Sequence, residues 1–481
     1  MRRKSLNKAD ISEVLEEMDI LFRVHIPDDG RRKVCLLVID DTWESVCLFY
    51  YLLKLSWVVI LMNAKEYDML ADRCISRYQP YWILSSVRDD TVLRDRMYSP
   101  INVYHQYHIW SQKNEGVLEL YQLIPDIAVL LPTSGSTGSV KFVALSRENL
   151  QINAELMGRS LGVQKGDRAV LMLPFSYAYG VSVITSYLEA GGTMLFPSGK
   201  ITQNEYWDEL EAAGVQAIFG VGYTYEIIQK MQVLDRPFKH LKLLAQAGEL
   251  LPEQTVRSLL KQAKEHNAHF AVLYGQTEAT GCMSCFFADE HEDKINSVGR
   301  ALEDSKFYIQ REEEYPSKEP NQIGEVVYCG ENISQGYVIS WRQITTSGFD
   351  MAEKPTDSFG GLHTGDVGYL DEDGYLYLIG RKKRIIKYRG WRIDLDELQS
   401  MMTERVNHQT VCIPGDESID KPIRIIVEGS RIPDPEVEFE LERMLLELPV
   451  GRITASIESI ERFPRDSDGV IVYDAMIESY L

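Results

Sequence analysis

The residues best suited to chemistry lie between Thr133 and Lys141, where the sequence reads Thr-Ser-Gly-Ser-Thr-Gly-Ser-Val-Lys. Glycines let a backbone turn tightly and approach an anion, and exposed N–H and hydroxyl groups can then solvate phosphate oxygens. The closing lysine adds a positive charge. A Walker loop is excluded, because it has four residues between its glycines and a serine or threonine after the lysine. A polar surface loop has a similar composition, but the ordered spacing favours a phosphate-binding loop.

Three later segments carry side chains that suit a nucleotide. Tyr274-Gly-Gln-Thr-Glu278 offers hydroxyls and a carboxylate, and Thr364-Gly-Asp366 offers a carboxylate that could accept both hydroxyls of a ribose. Gly380-Arg-Lys-Lys continues through Lys387 into Arg389-Gly390. Taken singly, each of these side chains is equally typical of a solvated surface. Their occurrence in this order along one chain favours a shared function.

Together, the four segments resemble those of the adenylate-forming enzymes, a family of acyl-CoA synthetases, aryl-acid ligases and peptide-synthetase adenylation domains. The resemblance implies an acid–thiol ligase that uses ATP and Mg²⁺ to convert a carboxylic acid to an acyl-adenylate. The acyl group would then pass to a thiol, either CoA or the phosphopantetheine of a carrier protein. It also implies an α/β fold, with a large N-terminal domain of several subdomains and parallel sheets at 1–380. A small mobile C-terminal α/β domain would follow at 381–481.

The resemblance also implies roles for individual residues. The loop would hold the β- and γ-phosphates, Thr277 would reach the α-phosphate, and Glu278 would be a ligand of Mg²⁺. Lys383 would be the pivot of the small domain. The predicted catalytic residues are Lys141, Thr277, Glu278 and Lys387. The predicted nucleotide-binding residues are Thr133, Ser134, Gly135, Ser136, Thr137, Gly138, Lys141, Gly248, Glu249, Tyr274, Gln276, Thr277, Asp366 and Arg381.

Two aromatic segments, 174–180 and 219–225, resemble the acid-pocket segments of acyl-CoA synthetases. Aromatic residues are equally common in a protein core. The first segment contains no aspartate, whereas amino-acid-activating members place one there to pair with the substrate ammonium group. The resemblance therefore favours an acyl or aryl acid without an α-ammonium group. The predicted pocket residues are Tyr177, Tyr179, Gly180, Gly222 and Tyr223.

One position departs from the family pattern. Members usually end in Pro-Arg-x-x-x-Gly-Lys, and this lysine bridges the substrate carboxylate and the nucleotide during adenylation. The matching segment here is Pro464-Arg-Asp-Ser-Asp-Gly-Val470, and no lysine occurs after Lys421. Valine can neither donate a side-chain hydrogen bond nor carry charge. Two alternatives therefore stay open: an enzyme that retains mainly thiol transfer, and a non-catalytic nucleotide-binding member.

Charge and composition limit the partners. The net charge of −21 argues against DNA or an anionic membrane as a constant partner. The basic stretch 381–392 coincides with the predicted pivot. No signal peptide is predicted, and the apolar stretch 47–62 contains Lys54 and is too short to span a membrane. We expect a cytoplasmic protein that acts on a small-molecule carboxylic acid, with an acyl carrier protein as a further candidate partner.

The elements that must position these residues alternate between strands and helices. Such alternation is typical of parallel βαβ units, and 481 residues suffice for two or more domains. The seven cysteines form no dense framework, and Cys282 and Cys285 lack the second pair that a zinc site needs, so we interpret them as structural thiols. Strands are predicted at 34–39, 58–62, 168–173, 192–196, 216–219 and 242–246, and helices at 45–55, 149–161 and 253–265.

Overall fold

Strands and helices alternate along most of the chain, so the predicted α/β class is confirmed. The described residues up to 380 form a larger unit, and those from 381 onward form a smaller one. A computed structural model describes residues 4–27, 29–87, 91–112, 123–132, 141–248, 251, 253–311, 317–345, 356–357, 359–381, 385–388, 391–406, 408, 410–416, 421–429, 435–447 and 454–463.

The secondary-structure elements are numbered here in chain order. The strands are β1 (Ser5–Asn7), β2 (Val34–Ile39), β3 (Val58–Asn63), β4 (Trp82–Ser85), β5 (Tyr98–Tyr104), β6 (Tyr107–Gln112), β7 (Ile127–Pro132), β8 (Phe142–Ser146), β9 (Arg168–Leu171), β10 (Thr193–Leu195), β11 (Ala217–Gly220), β12 (Leu243–Gln246), β13 (His269–Tyr274), β14 (Ser284–Phe287), β15 (Arg300–Ala301), β16 (Lys306–Gln310), β17 (Gly324–Cys329), β18 (Gly336–Val338), β19 (Leu362–Leu370), β20 (Leu376–Arg381), β21 (Ile385–Tyr388), β22 (Trp391–Asp394), β23 (Thr410–Asp416), β24 (Lys421–Glu428) and β25 (Ala455–Ile460). The helices are α1 (Lys8–Phe22), α2 (Trp43–Lys54), α3 (Tyr67–Tyr78), α4 (Thr91–Asp95), α5 (Arg147–Ser160), α6 (Ala178–Glu189), α7 (Asn204–Ala212), α8 (Gly222–Lys230), α9 (Glu253–Glu265), α10 (Leu395–Val406) and α11 (Pro435–Glu447).

Two eight-stranded sheets organise the larger unit. In the first, the order is β1-β10-β9-β11-β12-β13-β14-β15, and the strands from β10 to β13 are parallel. In the second, the order is β18-β8-β7-β3-β2-β4-β6-β5, and β7, β3, β2 and β4 are parallel. Parallel strands need crossover connections that cover the sheet faces. Every residue of β2 and β3 is accordingly buried, as their unbroken apolar sequences predict.

The remaining sheets are smaller. Strands β16, β17, β19 and β20 form a four-stranded sheet in that order. In the smaller unit, β21 pairs with β22, and β23, β24 and β25 form a separate sheet. An apolar core that includes Ile393, Leu398, Ile425 and Leu441 joins α10 and α11 to these strands.

The predicted elements lie within two residues of their expected bounds. Helix α5 shows what fixes such a boundary. The Ser146 hydroxyl accepts a hydrogen bond from the Asn149 N–H at 2.9 Å, and the Asn149 side chain accepts one from the Ser146 N–H at 3.0 Å. This reciprocal cap satisfies backbone donors that the first helical turn leaves without partners. Strand β8 therefore passes directly into α5, with Ser146 as the junction.

A buried polar network connects α5 and α6 with the two sheets that they cover. Its centre is Asn332, a fully buried residue between β17 and β18. The Asn332 amide donates to the carbonyls of Ala279 and Cys282 and to the Asn153 side chain at 2.8–3.2 Å, and its oxygen accepts from the Tyr328 hydroxyl. A buried amide with all these partners fixes the loops that carry them. Losing one of the hydrogen bonds would leave a buried polar group without a partner and out of reach of water.

We expect Asn332→Ala to lower the free energy of unfolding by about 3 kcal/mol, because it leaves several buried polar groups without partners. Denaturant titration of the full chain, followed by fluorescence, measures this loss. The matched control is Asn296→Ala, which removes an exposed amide that donates to Glu253. The control should change the unfolding free energy by about 0.5 kcal/mol or less. Equal losses in the two variants would contradict a central role for Asn332.

Candidate active site

Two of the predicted segments, the one that ends at Gly248 and the one at 274–278, lie at one edge of the first sheet. Strands β11, β12 and β13 run parallel, so the residues after their carboxyl ends lie side by side. The Ala247 N–H, after β12, donates to the Gly220 carbonyl of β11 at 3.2 Å. The segment 274–278 follows from β13, the next strand in the sheet. Ligands of open parallel sheets bind at this kind of edge, so the topology places the predicted nucleotide-binding residues Gly248, Gln276 and Thr277 where a ligand is expected.

Tyr274 and Asp366 are in direct contact. The Tyr274 hydroxyl donates to Asp366 Oδ2 at 2.6 Å, and both residues are buried. The Asp366 N–H donates to the Thr364 hydroxyl, which donates in turn to the Val326 carbonyl. These bonds fix the Thr-Gly-Asp turn of β19 against β17. The structure thus brings together two of the predicted nucleotide-binding residues, which lie in different segments of the sequence.

Glu278 and Lys141 lie on two sides of Tyr337. The Tyr337 hydroxyl donates to Glu278 Oε1 at 2.8 Å, and Lys141 Nζ lies 3.6 Å from the centre of the Tyr337 ring. A cation at this distance from an aromatic face is attracted by the ring quadrupole. Sequence reasoning missed Tyr337, because a single tyrosine in a short strand carries no pattern that distinguishes it from a core residue. The contact between Tyr337 and Lys141 arises from the pairing of β18 with β8, two strands that are far apart in sequence.

The predicted pocket residues occupy different environments. Tyr179 is buried, with its hydroxyl 3.5 Å from the Ala245 carbonyl, and Gly222 is buried at the start of α8. Gly180 packs so closely that an added Cβ would lie 2.5 Å from the Pro174 carbonyl oxygen. Tyr223, by contrast, is 58% exposed. Tyr179 and Gly180 are therefore buried at the start of α6, whereas the Tyr223 side chain lies largely in solvent.

Two carboxylates outside the predicted segments lie close to Tyr177. Asp41 Oδ1, after β2, accepts a hydrogen bond from the Phe175 N–H at 3.0 Å. Burial, together with the negative charges of Glu66 and Asp41, raises the pKa of Tyr177 to about 12. Tyr177 therefore stays neutral at physiological pH. Both acids follow the carboxyl ends of strands in the second sheet, β2 and β3, far in sequence from the predicted pocket segment 174–180, so no local pattern pointed to them.

Several predicted residues lie outside the described part of the chain. These are Thr133, Ser134, Gly135, Ser136, Thr137, Gly138, Glu249 and Lys383, together with Val470.

Arg381 ends β20, and Lys387 pairs with Arg392 between β21 and β22. Cys282 and Cys285 are free thiols, and Cys282 is buried.

A nucleotide and Mg²⁺ fit the chemistry of this edge. Glu278 presents a half-buried carboxylate, the type of oxygen ligand that Mg²⁺ prefers. Gln276 Nε2 is buried without a hydrogen-bond partner in the described structure, so it has a donor available for a ligand. Gly248 has a φ of +93°, a conformation that favours glycine and exposes backbone to a close approach. Thr277 starts the short 3₁₀ turn Thr277–Ala279, which carries Glu278.

A model of the AMP-binding enzyme family matches residues 81–338, more than half of the chain. The chain belongs to this family. The match includes Lys141 and Glu278 but ends before Asp366. The predicted resemblance to adenylate-forming enzymes is therefore confirmed.

Curated relatives of this AMP-binding enzyme include ligases named for different acids. Oxalate–CoA ligase of Arabidopsis thaliana is 26% identical over 382 residues, which cover 76% of this chain and 70% of the relative. The 2-succinylbenzoate–CoA ligase of Lactococcus lactis is 24% identical and aligns over 98% of this chain and 96% of its own. A D-alanine–D-alanyl carrier protein ligase of Bacillus licheniformis is 27% identical over 66% of this chain and 62% of the relative.

Solved structures show the same fold. An o-succinylbenzoate CoA synthetase of Bacillus subtilis, a double mutant bound to a product analogue, superposes with a TM-score of 0.75 at 18% identity. The match covers 98% of this chain and 93% of that protein. The synthetase in complex with ATP and a magnesium ion superposes with a TM-score of 0.62, also at 18% identity, over 97% of this chain and 93% of that one. In the described part of this AMP-binding enzyme, no helix has the length and apolar character needed to cross a membrane.

The turn that carries Glu278 has no room for a side chain at Gly275. An added Cβ there would lie 2.3 Å from the Gly281 carbonyl oxygen, which is part of the backbone. We expect Gly275→Ala to displace the turn, to lower the unfolding free energy by about 1–3 kcal/mol and to weaken ATP binding in calorimetric titrations.

The matched control for Gly275→Ala is Gly158→Ala in α5, where the nearest atom would be 3.5 Å from the added Cβ. This change should stabilise the protein by about 0.5–1 kcal/mol, because alanine favours a helix. An alanine at position 275 that left ATP binding unchanged would contradict the proposed position of the turn.

Proposed function

We propose that the protein uses ATP and Mg²⁺ to convert a carboxylic acid to an acyl-adenylate, and then transfers the acyl group to a thiol. The observation that carries the proposal is the cluster at the strand edge, where Glu278 and Lys141 contact opposite parts of Tyr337. The thiol is CoA or the phosphopantetheine of a carrier protein, since the curated relatives include ligases of both kinds. These relatives support a working ligase over thiol transfer alone or a non-catalytic role.

In the adenylation step, a carboxylate oxygen attacks the α-phosphorus and pyrophosphate leaves. Both reactants are negative, so the protein must hold them in line and offset their charge. Bound Mg²⁺ would supply positive charge to the phosphate oxygens. Lys141 adds a cation beside the predicted phosphate loop, and Thr277 is proposed to donate a hydroxyl to the α-phosphate. Asp366, held by Tyr274, is proposed to orient the ribose.

The preferred substrate is an acyl or aryl acid without an α-ammonium group, because the segment 174–180 contains no aspartate. A second candidate class is an acid that carries a positive charge elsewhere on the molecule. The observation favouring it is the proximity of the Asp41 and Glu66 carboxylates to Tyr177, a predicted pocket residue.

The second step is proposed to use the residues from 381 onward. By resemblance, the small domain turns about Lys383 and presents the face around Lys387 to the nucleotide site. A pivot must absorb a large change in φ and ψ, so under this proposal the backbone of Lys383 changes conformation between the two steps. Arg381 is proposed to assist Asp366 at the ribose.

ATP–pyrophosphate exchange, assayed over a panel of carboxylic acids, tests the first step. We expect Lys141→Ala and Glu278→Ala each to reduce exchange about a hundredfold or more, because each removes a charge that offsets or anchors the phosphates. The matched controls are Lys264→Ala and Glu292→Ala, which break an exposed ion pair elsewhere on the larger unit. Exchange with α-amino acids alone would overturn the substrate proposal. Undetectable ATP binding by calorimetry would overturn the whole function.

Because position 470 is a valine, we expect the rates of adenylation and of thiol transfer to differ. We expect a chemically supplied acyl-adenylate to be converted to thioester faster than the acid with ATP, because valine supplies no charge to adenylation. Val470→Lys should raise the adenylation rate by about a hundredfold and change thiol transfer little. Val470→Met is the control, since it adds length without charge. A rapid wild-type burst of adenylate that Val470→Lys left unchanged would show that this position does not limit the reaction.

A further inference from the structure

Strand β18 connects the turn that carries Glu278 to the strand that follows Lys141. On one side, the Ser334 N–H donates to the Glu278 carbonyl at 2.8 Å. On the other, β18 pairs antiparallel with β8, and Tyr337 lies opposite Val143. The first residue of β8 is the immediate neighbour of Lys141. Tyr337 is therefore held at both ends by backbone hydrogen bonds to the segments whose side chains it contacts.

The approach to β18 is fixed by α5. The Asn149 amide donates to the carbonyls of Glu331 and Ile333 at 3.1 and 2.9 Å. The Gln335 side chain donates to Asn149 Oδ1 at 3.3 Å, and the Gln335 N–H donates to the Ala144 carbonyl at 2.8 Å. Asn149 also completes the reciprocal cap of its own helix by accepting from the Ser146 N–H. These bonds leave the strand little freedom, so the direction of the Tyr337 side chain is set by the scaffold.

Tyr337 contacts two opposite charges through different parts of its side chain. Its hydroxyl binds the Glu278 carboxylate, and the face of its ring contacts the Lys141 ammonium group. In the described structure, no ion pair joins Lys141 directly to Glu278. An ammonium and a carboxylate in direct contact would neutralise each other. Each would then be less available to a phosphate or a metal ion. The Tyr337 side chain instead engages the two charges at separate points, its hydroxyl and the face of its ring.

We infer that Tyr337 is a positioning residue that keeps Lys141 and Glu278 apart and orients each toward its own ligand. Its hydroxyl holds one oxygen of Glu278 and leaves the other for Mg²⁺, while its ring supports the lysine beside the nucleotide phosphates. This inference rests on the proposed function, because it requires ATP and Mg²⁺ at this edge. It extends the site to a residue in β18, outside the segments predicted from the sequence.

Two substitutions separate the two roles of the side chain. Tyr337→Phe keeps the ring and removes the hydroxyl, and Tyr337→Leu removes both. ATP binding is measured by calorimetry on the full chain without any acid, so that no turnover occurs, once with EDTA and once with saturating Mg²⁺. The control is Tyr98→Phe, which removes a hydroxyl that donates to the Pro80 carbonyl in the second sheet, among residues that the site does not use. Circular dichroism checks that each variant is folded.

For the wild type and Tyr98→Phe, we expect Mg²⁺ to tighten ATP binding by the same factor. In Tyr337→Phe this factor should fall about tenfold, because Glu278 loses a charge-assisted hydrogen bond. Binding in EDTA should stay within about twofold of the wild type, since the lysine keeps its aromatic support. In Tyr337→Leu, binding in EDTA should fall as well, also by about tenfold, because Lys141 can then pair with Glu278.

The outcomes distinguish this inference from the function on which it rests. Failure of the wild type to bind ATP in either condition would overturn the proposed function and the role of Tyr337 with it. Wild-type binding that depends on Mg²⁺, with the same factor in Tyr337→Phe, would overturn the role of Tyr337 alone. Equal weakening by Tyr337→Phe with and without Mg²⁺ would also overturn it, since a purely structural residue would act in that way. If Tyr337→Leu does not fold, Tyr337→Phe decides the question.

Discussion

The site depends on the buried amide of Asn332 more than on any other single group. Its hydrogen bonds hold the turn at 279–282, which follows Glu278, and the same residue begins the approach to β18. A second bond from the Thr280 hydroxyl to the Asn332 carbonyl closes the connection. Inside a protein such bonds are strong, and an incomplete set is costly. The glutamate predicted to bind Mg²⁺ and the strand that carries Tyr337 therefore share one anchor, and neither can move without disturbing the other.

The parallel sheets bring the turn anchored by Asn332 together with polar segments from elsewhere in the sequence. Strands β11, β12 and β13 end at one edge, so segments separated by dozens of residues in sequence become neighbours. The second sheet contributes Lys141 through β8, and Asp41 through the turn after β2. Polar groups from two sheets meet beside α6, where the aromatic wall of Tyr179 and Phe219 is already packed. The chemistry thus belongs to no single motif, although each motif is continuous in sequence.

Much of the fold was predictable because its signals are local. The unbroken apolar run of β2 and the helix at 253–265 are readable from a few neighbouring residues, and both are found at their predicted bounds. The contact of Tyr274 with Asp366 was not predictable, since 92 residues separate them and only the pairing of whole sheets brings them together. Tyr337 and Asn332 gave no signal for a similar reason: their importance comes from partners that are distant in sequence. The predictions at Lys383 and Val470 stay predictions.

The hydrogen bonds of Ser182 limit which residues of α6 could be changed in a redesign of the acid specificity. Its hydroxyl, which accepts a hydrogen bond from Asn153, donates to the Thr280 carbonyl at 2.5 Å. It thus ties one face of α6 to the turn that follows Glu278. Substitutions on this face, which also includes Ala178, would disturb the turn after Glu278 along with the predicted pocket residues of α6. Tyr179, which adjoins this face, packs against Phe219 and has its hydroxyl 3.5 Å from the Ala245 carbonyl, so a change at Tyr179 leaves the bond from Ser182 to Thr280 in place.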